Sequence, residues 1–340
     1  GIFVPANLSG SGIIKEDINS YYILDMNSSA WNQGRSTSKT VTLECPDVQL
    51  DPDTPTPFHI VLPPGKYSSF SLTITTSDGR IMLVNVDKEL VINRSKARHT
   101  TPLTYTETIP VNLSDRGTSN SYIVSEGGAY KFDASVIGNG KAGIIEGVSF
   151  HTTDPSITPN SAELLWESPS RLITGLGYNS EEKTISFIAS MLEGNALIAA
   201  KDENGDIIWS WHIWCTDRPA EQTYINYSDQ TFSVQDRNLG ATSAEKGKED
   251  WYSRVDESIG LHYQWGRKDP FAIGSSPTRN DDDLTLNHSI QNPTVYKEKY
   301  MWTNNGWTYT WMDPMVTKAW NDTTKTIYDP CPAGYTMPIS

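Results

Sequence analysis

The strongest alternation of apolar and polar positions lies between residues 194 and 214, in GNALIAAKDENGDIIWSWHIW. The Asn204-Gly205 pair separates two alternating runs, a pattern that predicts a β-hairpin with a two-residue turn. In the second run Trp211 falls on one face and His212 on the other, and both faces carry further large side chains. This pattern indicates a central strand that is covered on both sides.

Short alternating runs also fill residues 1–107, which are rich in Thr, Ser and Pro. They predict strands at 40–45, 59–62, 70–76 and 80–86, whereas the helical period is weak. We therefore expect an all-β sandwich in this region. Its predicted core face comprises Leu72, Ile74, Ile81, Leu83 and Leu90.

Residues 108–220 show the same style of sequence, with turn signals about every 10 residues. Strands are predicted at 122–124, 128–132, 162–166 and 184–188, and the hairpin described first closes the segment. Many short strands at this spacing are typical of an immunoglobulin-like sandwich.

From residue 221 onward the alternation gives way to aromatic residues, aspartates and loops. The predicted fold class is therefore mainly β. We expect two tandem β-sandwich domains, at 1–107 and 108–220, followed by a loop-rich α+β domain at 221–340.

The charge of the chain narrows the range of partners. The 340 residues include 27 basic and 41 acidic side chains, which gives a formal net charge of −14. Such a surface repels nucleic acid and anionic lipid, so we expect neither as a partner. No apolar run approaches the roughly 20 residues of a membrane-spanning helix, so no direct membrane span is expected.

The three cysteines, Cys45, Cys215 and Cys331, are far apart in the sequence. Their spacing matches neither a zinc site nor a dense disulfide framework. They are interpreted as buried single thiols, with one long-range disulfide as the alternative in an exported protein.

The run LPPGKYSSFSLTITTSDGRIM at 62–82, followed by LVINRSKARHTTPLTY at 90–105, resembles the second β-domain of the fimbrillin-like proteins of Bacteroidales. Fimbrillin-like subunits usually carry another β-sandwich before this one. The resemblance therefore implies a processed, truncated or divergent N terminus. It also implies export, with a signal or lipid anchor upstream of this chain.

Two further stretches, at 112–132 and 193–214, resemble a module often found behind fimbrillin-like domains. FSVQDRNLGA at 232–241, GLHYQWGRKDPF at 260–271 and YDPCPAGYTMP at 328–338 resemble the major paralogous domain of Fibrobacter and Bacteroidales surface proteins. That resemblance implies a fold distantly similar to C-type lectins, with a small helix near its start. The family motif ends in GWRVP where this chain has GYTMP, and this chain ends at Ser340 where the family continues, which implies an incomplete domain.

No catalytic motif stands out in the sequence. It contains no HExxH, no GxSxG and no Walker loop, so we expect a protein that is not an enzyme. His212 is interpreted as a packed or hydrogen-bonded histidine rather than a metal ligand or base. Asp236, Arg237 and Asn238 are interpreted as capping a helix that begins near Leu239 or as fixing a loop.

No cofactor is expected, with one exception for calcium. The adjacent carboxylates of Asp281, Asp282 and Asp283 could offer oxygen ligands to Ca²⁺. The alternative is a solvated acidic loop.

Aromatic residues interleaved with Thr and Asn make residues 296–320 the candidate ligand-binding region. Exposed rings stack on the apolar face of a sugar while amides bind its hydroxyls. The alternatives are that the rings form the core of this domain, or that Trp302 and Trp307 pair across a hairpin. The candidate ligand-binding residues are Trp302, Trp307, Asn304, Asn305, Tyr309 and Trp311.

These resemblances imply a non-enzymatic cell-surface adhesin, a tip or accessory subunit of a fimbrium assembled by β-strand donation. The N-terminal segment with Ile2, Val4, Ile13 and Ile14 is the candidate for strand exchange. The expected partners are other fimbrial subunits and a host or dietary glycan or host surface protein. The expected location is the outer membrane or a fimbrium. The alternative is an outer-membrane glycan-binding lipoprotein of a polysaccharide-uptake system; an enzyme with an unrecognised site is a third hypothesis.

Overall fold

A computed structural model shows that the chain is mainly β, as predicted, and divides into two compact units, Gly1–Thr108 and Ile109–Ser340. Apart from Thr108, the predicted segments 108–220 and 221–340 both lie in the second unit, and the three-domain division stays a prediction. The structure describes residues 13–18, 22–25, 30–33, 39–44, 48–49, 51, 53–60, 65–67, 70–76, 80–86, 88–94, 96–99, 101–144, 151–152, 154–245, 256–272, 285–296, 299–303, 306–310, 319–320 and 324–338.

The first unit contains antiparallel strand pairs. β1 pairs with β4, β2 with β3, β5 with β8 and β6 with β7. The strands predicted at 40–45, 70–76 and 80–86 are confirmed. His59 and Ile60, predicted to lie in a strand, are instead in an irregular exposed segment. The bounds are β1 Ile13–Ile18, β2 Tyr22–Asp25, β3 Ala30–Gln33, β4 Lys39–Glu44, β5 Gly65–Tyr67, β6 Phe70–Thr75, β7 Ile81–Val86 and β8 Leu90–Ile92.

The predicted core face of this unit is only half-buried, and Met82 on the opposite face of β7 is buried instead. The cause is a segment that runs along β7. Thr108 donates from its backbone N–H to the carbonyl of Ile81 at 2.7 Å and accepts from the backbone N–H of Leu83 at 2.9 Å. The backbone nitrogen of Thr106 lies 3.4 Å from the sulfur of Met82, so this segment covers that side chain.

The second unit is built on two four-stranded sheets. The strand orders are β15-β16-β11-β9 and β10-β18-β17-β14, and a separate pair is formed by β12 and β13. A 3-10 helix, Leu113–Arg116, follows β9. The bounds are β9 Val111–Asn112, β10 Ser121–Val124, β11 Gly128–Asp133, β12 Gly143–Ile144, β13 His151–Thr152, β14 Ser161–Ser168, β15 Ile173–Asn179, β16 Thr184–Ala189, β17 Gly194–Lys201 and β18 Ile207–Cys215.

The order of these strands is that of an immunoglobulin-like sandwich. Taking β9, β11, β16 and β15 as strands A, B, E and D, and β14, β17 and β18 as C, F and G, reproduces the strand order of the constant-type sheets. The pairing of β9 with β11 is parallel, which departs from the antiparallel sheets of that arrangement. The strand β10 extends the second sheet by pairing in parallel with β18. All four strands predicted for 108–220 are present.

A shared apolar core joins the two sheets. Phe132 of β11 lies with its ring centroid 5.1 Å from that of Trp211 on β18 and 4.9 Å from that of Tyr122 on β10. Burial of such rings supplies the main stabilising term of a sandwich. The inner face of the second sheet adds Ala196, Ile198, Ala200, Trp209 and Ile213 to this core.

The central hairpin is confirmed, but its turn is longer than predicted. β17 and β18 are joined by a loop from Asp202 to Asp206 rather than by Asn204-Gly205 alone. The Asp202 carboxylate accepts from the backbone N–H groups of Asn204 and Asp206, each at 2.9 Å. Gly205 takes the positive φ, +86°. A capped turn followed by a left-handed glycine is the next most common hairpin connection.

The rest of the second unit consists of short hairpins, short helices and loops. β19 pairs with β20, β21 with β22 and β23 with β24. Among the described residues, no helix is long and apolar enough to cross a membrane. The bounds are β19 Glu221–Ile225, β20 Thr231–Gln235, α1 Asp256–Ile259, β21 His262–Tyr263, β22 Pro270–Phe271, α2 Leu286–Gln291, β23 Lys299–Thr303 and β24 Gly306–Thr310.

The two core tryptophans of β18 predict a difference in stability. The indole N–H of Trp209 donates to Oδ1 of Asn120 at 3.0 Å, whereas that of Trp211 has no partner in the described part of the chain. Trp209→Phe leaves a buried acceptor unsatisfied, while Trp211→Phe removes a buried unpaired donor. We expect Trp209→Phe to lower the free energy of unfolding by about 1–3 kcal/mol more than Trp211→Phe.

Urea unfolding followed by far-UV circular dichroism measures both variants. The two substitutions remove the same ring area from equally buried sites, so equal losses would contradict the assigned hydrogen bonds.

Candidate functional site

The outer face of the β10-β18-β17 sheet is covered by the C-terminal part of the second unit. Asn120 donates from its side-chain nitrogen to the carbonyls of Ile327 and Asp329 at 2.7 and 2.8 Å. Ser121 donates from Oγ to the carbonyl of Pro330 at 2.5 Å. The predicted covering of the hairpin on both sides is therefore confirmed.

His212 lies at the centre of this buried layer. Its Nε2 is 2.8 Å from Oδ1 of Asn195, and its Nδ1 is 3.1 Å from Oγ of Ser121 and 3.4 Å from the hydroxyl of Tyr263. The amide nitrogen of Asn195 donates to the carbonyl of Gly240, so its oxygen faces the imidazole. We therefore assign the proton to Nε2 and an acceptor role to Nδ1.

This network contains the hydroxyl, imidazole and amide groups of a catalytic nucleophile–base arrangement, but these groups are not accessible to a substrate. Ser121, His212 and Asn195 are all buried, and the Ser121 hydroxyl hydrogen is directed to a backbone carbonyl. Burial lowers the pKa of His212 to about 3, because the charged imidazolium loses its hydration. The prediction of a packed, hydrogen-bonded histidine is confirmed.

A second buried group joins Lys268 and Asp269 to the same strand. The ammonium of Lys268 is 2.5 Å from Oδ1 of Asp269, donates to the carbonyl and hydroxyl of Ser210, and lies 4.4 Å from the ring centroid of Trp209. Burial lowers the pKa of Lys268, and the Asp269 carboxylate opposes that shift. The pair anchors the GRKDPF segment on β18.

The neighbouring Arg267 ties together a different loop. Its guanidinium donates to the carbonyls of Asn292, Pro293 and Val295 at 2.9–3.2 Å and lies 4.8 Å from the ring centroid of Phe271. Burial lowers its pKa to about 10. This cation therefore fixes the chain after α2 rather than facing a ligand.

The C-terminal loop is organised around the fully buried Asp329. Its carboxylate accepts from the backbone N–H groups of Cys331 and Met337 and from the ammonium of Lys325 at 2.7–3.0 Å. The Lys325 ammonium also donates to the carbonyls of Cys331 and Tyr335. A lysine that bridges three oxygens of one loop stabilises that loop as a unit.

Arg237 fixes the loop of the QDRNLGA segment, as one of the two predictions for it stated. Its guanidinium contacts the carboxylates of Asp217 and Asp236, whose pKa values it lowers, and also donates to Thr216. The other prediction, a helix beginning near Leu239, is wrong. That position forms a turn in which the backbone N–H of residue 241 donates to the carbonyl of residue 238 at 2.9 Å.

A shallow open cleft of about 390 Å³ lies beside this arginine. Because two carboxylates contact the guanidinium, the cleft offers an anion no uncompensated positive charge. It is lined by Asp217, Arg237, Thr242, Ser243, Ala244 and Glu245.

The predicted ligand-binding residues lie partly in a hairpin. Trp302 on β23 is directly opposite Trp307 on β24, and Tyr309 is opposite Tyr300. The predicted turn between Trp302 and Trp307 therefore joins two paired strands. Asn304, Asn305 and Trp311, together with the calcium candidates Asp281, Asp282 and Asp283, lie outside the described residues.

The described part of the chain contains neither a metal site nor an accessible thiol. No group of three or more His, Cys, Asp or Glu side chains is placed there to hold a metal ion. Cys215 and Cys331 are free and buried, and burial raises the pKa of the Cys215 thiol to about 12. Cys45 lies outside the described residues.

One exposed feature was not predicted from the sequence. The hairpin of β19 and β20 carries large apolar side chains at exposed positions, including Tyr224 and Phe232. The alternating sequence QTYI before Asn226 and TFSV after Gln230 could have revealed it.

Comparison of this chain with protein-family models, curated proteins and solved structures returned no match.

The pKa of His212 predicts a pH dependence of stability. In the unfolded chain a histidine titrates near pH 6.5, whereas the folded protein leaves His212 neutral down to about pH 3. As the pH falls through this window, the unfolded state binds the additional proton, so the free energy of unfolding decreases. The slope due to this residue is at most about 1.4 kcal/mol per pH unit.

We expect His212→Gln to show a shallower loss of stability than the parent protein between about pH 6.5 and 4. Urea unfolding across that range measures it, with His262→Gln, at an exposed position, as the matched control. Parallel profiles for His212→Gln and the parent protein would contradict the neutral assignment.

The buried Lys268–Asp269 ion pair predicts that substitutions of its two residues have strongly coupled effects on stability. Lys268→Met leaves the Asp269 carboxylate buried without its cation, which costs about 3–5 kcal/mol. Replacing both residues in Lys268→Met/Asp269→Leu removes both charges, so we expect the double variant to be more stable than Lys268→Met. Thermal and urea unfolding measure the cycle, and additive losses would show that the two side chains are not coupled.

Proposed function

We propose that this chain is a non-enzymatic cell-surface adhesin, a tip or accessory subunit of a fimbrium, whose C-terminal half presents a binding surface. In this proposal two tandem β-sandwiches act as stalk or assembly domains, and residues 221–340 form a C-type-lectin-like domain. The support comes from the resemblance to fimbrillin-like and major paralogous domains together with the architecture of the second unit.

The observation that carries the proposal is the edge of the first sheet. β9 pairs with only two of the six residues of β11. Val111 in this short strand and Ile109, two residues before it, are exposed, at 57% and 82%. In the proposal, a strand from another chain adds by main-chain hydrogen bonds along the part of β11 with which β9 does not pair.

The candidate donor segment is only partly described. Ile13 and Ile14 lie in β1 and pair with Glu44 and Leu43 of β4. Ile2 and Val4 lie outside the described residues. In the proposal, the N-terminal segment with Ile2, Val4, Ile13 and Ile14 is the donor, and Ile13 and Ile14 are the part of it that pairs with β4.

The chemistry of the buried network also supports a structural rather than a catalytic role. The buried side chains of His212, Lys268, Asp269 and Asp329 all bind other parts of the same chain. Each would have to leave its partners before it could act on a substrate.

Immunogold labelling tests the proposal, with an antibody raised against residues 221–340 and cells lacking the protein as control. We expect gold on sheared surface filaments, concentrated at their ends for a tip subunit. Deletion of residues 1–15 should abolish incorporation into filaments, because a donated strand contributes both hydrogen bonds and apolar contacts. Gold on the outer membrane with none on filaments would contradict the fimbrial assignment.

The second candidate function is an outer-membrane glycan-binding lipoprotein of a polysaccharide-uptake system. The exposed aromatic hairpin of β19 and β20 favours it, because such a surface serves ligand binding without requiring polymerisation. Labelling confined to the outer membrane, together with polysaccharide binding, would support this candidate.

A further inference from the structure

The hairpin of β19 and β20 is exposed along almost its whole length. Every residue of both strands is exposed except Gln235, which is half-buried. Five large apolar residues lie exposed within residues 221–235: Tyr224, Ile225, Tyr227, Phe232 and Val234. An isolated two-stranded hairpin is marginally stable in water, so this concentration of apolar surface calls for a functional explanation.

The register of the hairpin sorts these residues onto two faces. Tyr224 is opposite Phe232, and Gln222 is opposite Val234. Because side chains alternate along a strand and paired residues share a face, these four residues lie on the same face. Ile225 lies on the other face, opposite Thr231.

The two rings of the first face form a shared surface. The ring centroids of Tyr224 and Phe232 are 6.1 Å apart, and the ring planes are inclined by 24°. Tyr224 and Phe232 are 47% and 48% exposed. The rings therefore offer solvent an apolar surface wider than one ring.

Amide side chains lie at both ends of this pair of rings. The hydroxyl of Tyr224 donates to Oε1 of Gln222 at 2.6 Å, which orients the amide and leaves its nitrogen as a donor. Beyond the other end, Asn226 donates to Oε1 of Gln230 at 2.9 Å. We call Gln222, Tyr224, Phe232 and Val234 of this face, together with Asn226 and Gln230 at the adjoining turn, the aromatic platform; none of the six residues is charged.

The base of the hairpin is held by the remainder of the second unit. The backbone N–H of Asp236 donates to the carbonyl of Ala220 at 2.9 Å, and the hydroxyl of Tyr335 donates to Oε1 of Glu221 at 2.7 Å. The guanidinium of Arg237 joins Asp236 to Asp217 directly below. The aromatic platform therefore lies on a hairpin whose base is fixed, so less conformational entropy is lost when a ligand binds.

We infer that the aromatic platform binds a neutral glycan, with pyranose rings stacked on Tyr224 and Phe232 and sugar hydroxyls bound by Gln222 and the Asn226–Gln230 pair. A flat apolar surface with polar groups at its margins is complementary to a sugar ring, which has apolar faces and a polar rim. This inference rests on the proposed role of the chain in presenting a binding surface, but not on its assembly into filaments.

The size and charge of the aromatic platform favour a glycan over a second copy of the chain. Stable protein–protein interfaces use about 20–30 residues a side, whereas the aromatic platform has six. The net charge of −14 opposes anionic ligands, and the platform itself carries no charge that would select an ion.

Affinity electrophoresis and titration calorimetry with soluble mixed-linkage β-glucan, xylan, mannan and pullulan test the inference on the full chain. We expect binding to at least one of these neutral polysaccharides and at least a tenfold loss of affinity in Tyr224→Ala/Phe232→Ala. The matched control is Ile225→Ala, which removes an exposed apolar side chain from the opposite face and should bind like the parent protein. Because all three side chains are exposed, we expect unchanged unfolding temperatures.

A second variant separates this inference from the other candidate region. If Trp302→Ala/Trp307→Ala loses binding while Tyr224→Ala/Phe232→Ala retains it, glycan binding stands and the assignment to the aromatic platform is wrong. Binding to none of the four polysaccharides would also overturn the inference. Self-association in sedimentation that is lost in Tyr224→Ala/Phe232→Ala would instead identify the platform as a protein contact. The filament labelling described above is independent of all these results.

Discussion

The hydrogen bonds that Asn120 and Ser121 make with the carbonyls of residues 327, 329 and 330 are the interaction on which the second unit depends. They attach the C-terminal segment to the outer face of a sheet whose inner face forms the sandwich core. The same two residues reach both layers. Oδ1 of Asn120 accepts from the indole of Trp209 in the core, and Ser121 contacts His212 in the outer layer. Loss of these hydrogen bonds would therefore disturb the packing on both faces of the sheet.

The outer layer is polar. Its stability depends on hydrogen bonds and ion pairs between its buried polar groups rather than on the amount of buried apolar surface. A buried polar group is costly unless it is hydrogen-bonded, so each partner in the layer restricts the position of the next. This explains the three C-terminal motifs physically. Arg237 fixes one loop, Lys268 and Asp269 anchor a second on β18, and Asp329 organises the third. The motifs hold the covering layer in place.

The sequence predicts strands well where alternation is strong, as in β17 and β18, and poorly where the backbone is irregular. β15 was missed because Gly175, with a φ of +59°, and a register shift between Thr174 and Gly177 interrupt its alternation. The turn at 202–206 was mispredicted because the capping role of Asp202 outweighs the local preference for a two-residue turn. The hydrogen bonds between Asn120 and the C-terminal loop join distant positions and leave no periodic pattern in the sequence. They could therefore not be predicted from local patterns.

The attachment of the C-terminal segment has a consequence for the order of folding. Asn120 and the carbonyl of residue 327 are separated by 207 positions in the sequence. Contacts between distant positions form late, because a long loop must close before they gain anything. The outer face of the second sheet is therefore covered only when the C-terminal segment docks on it. Acid protonates the histidine of the unfolded chain but not the covered His212, so low pH opposes the closing of this layer.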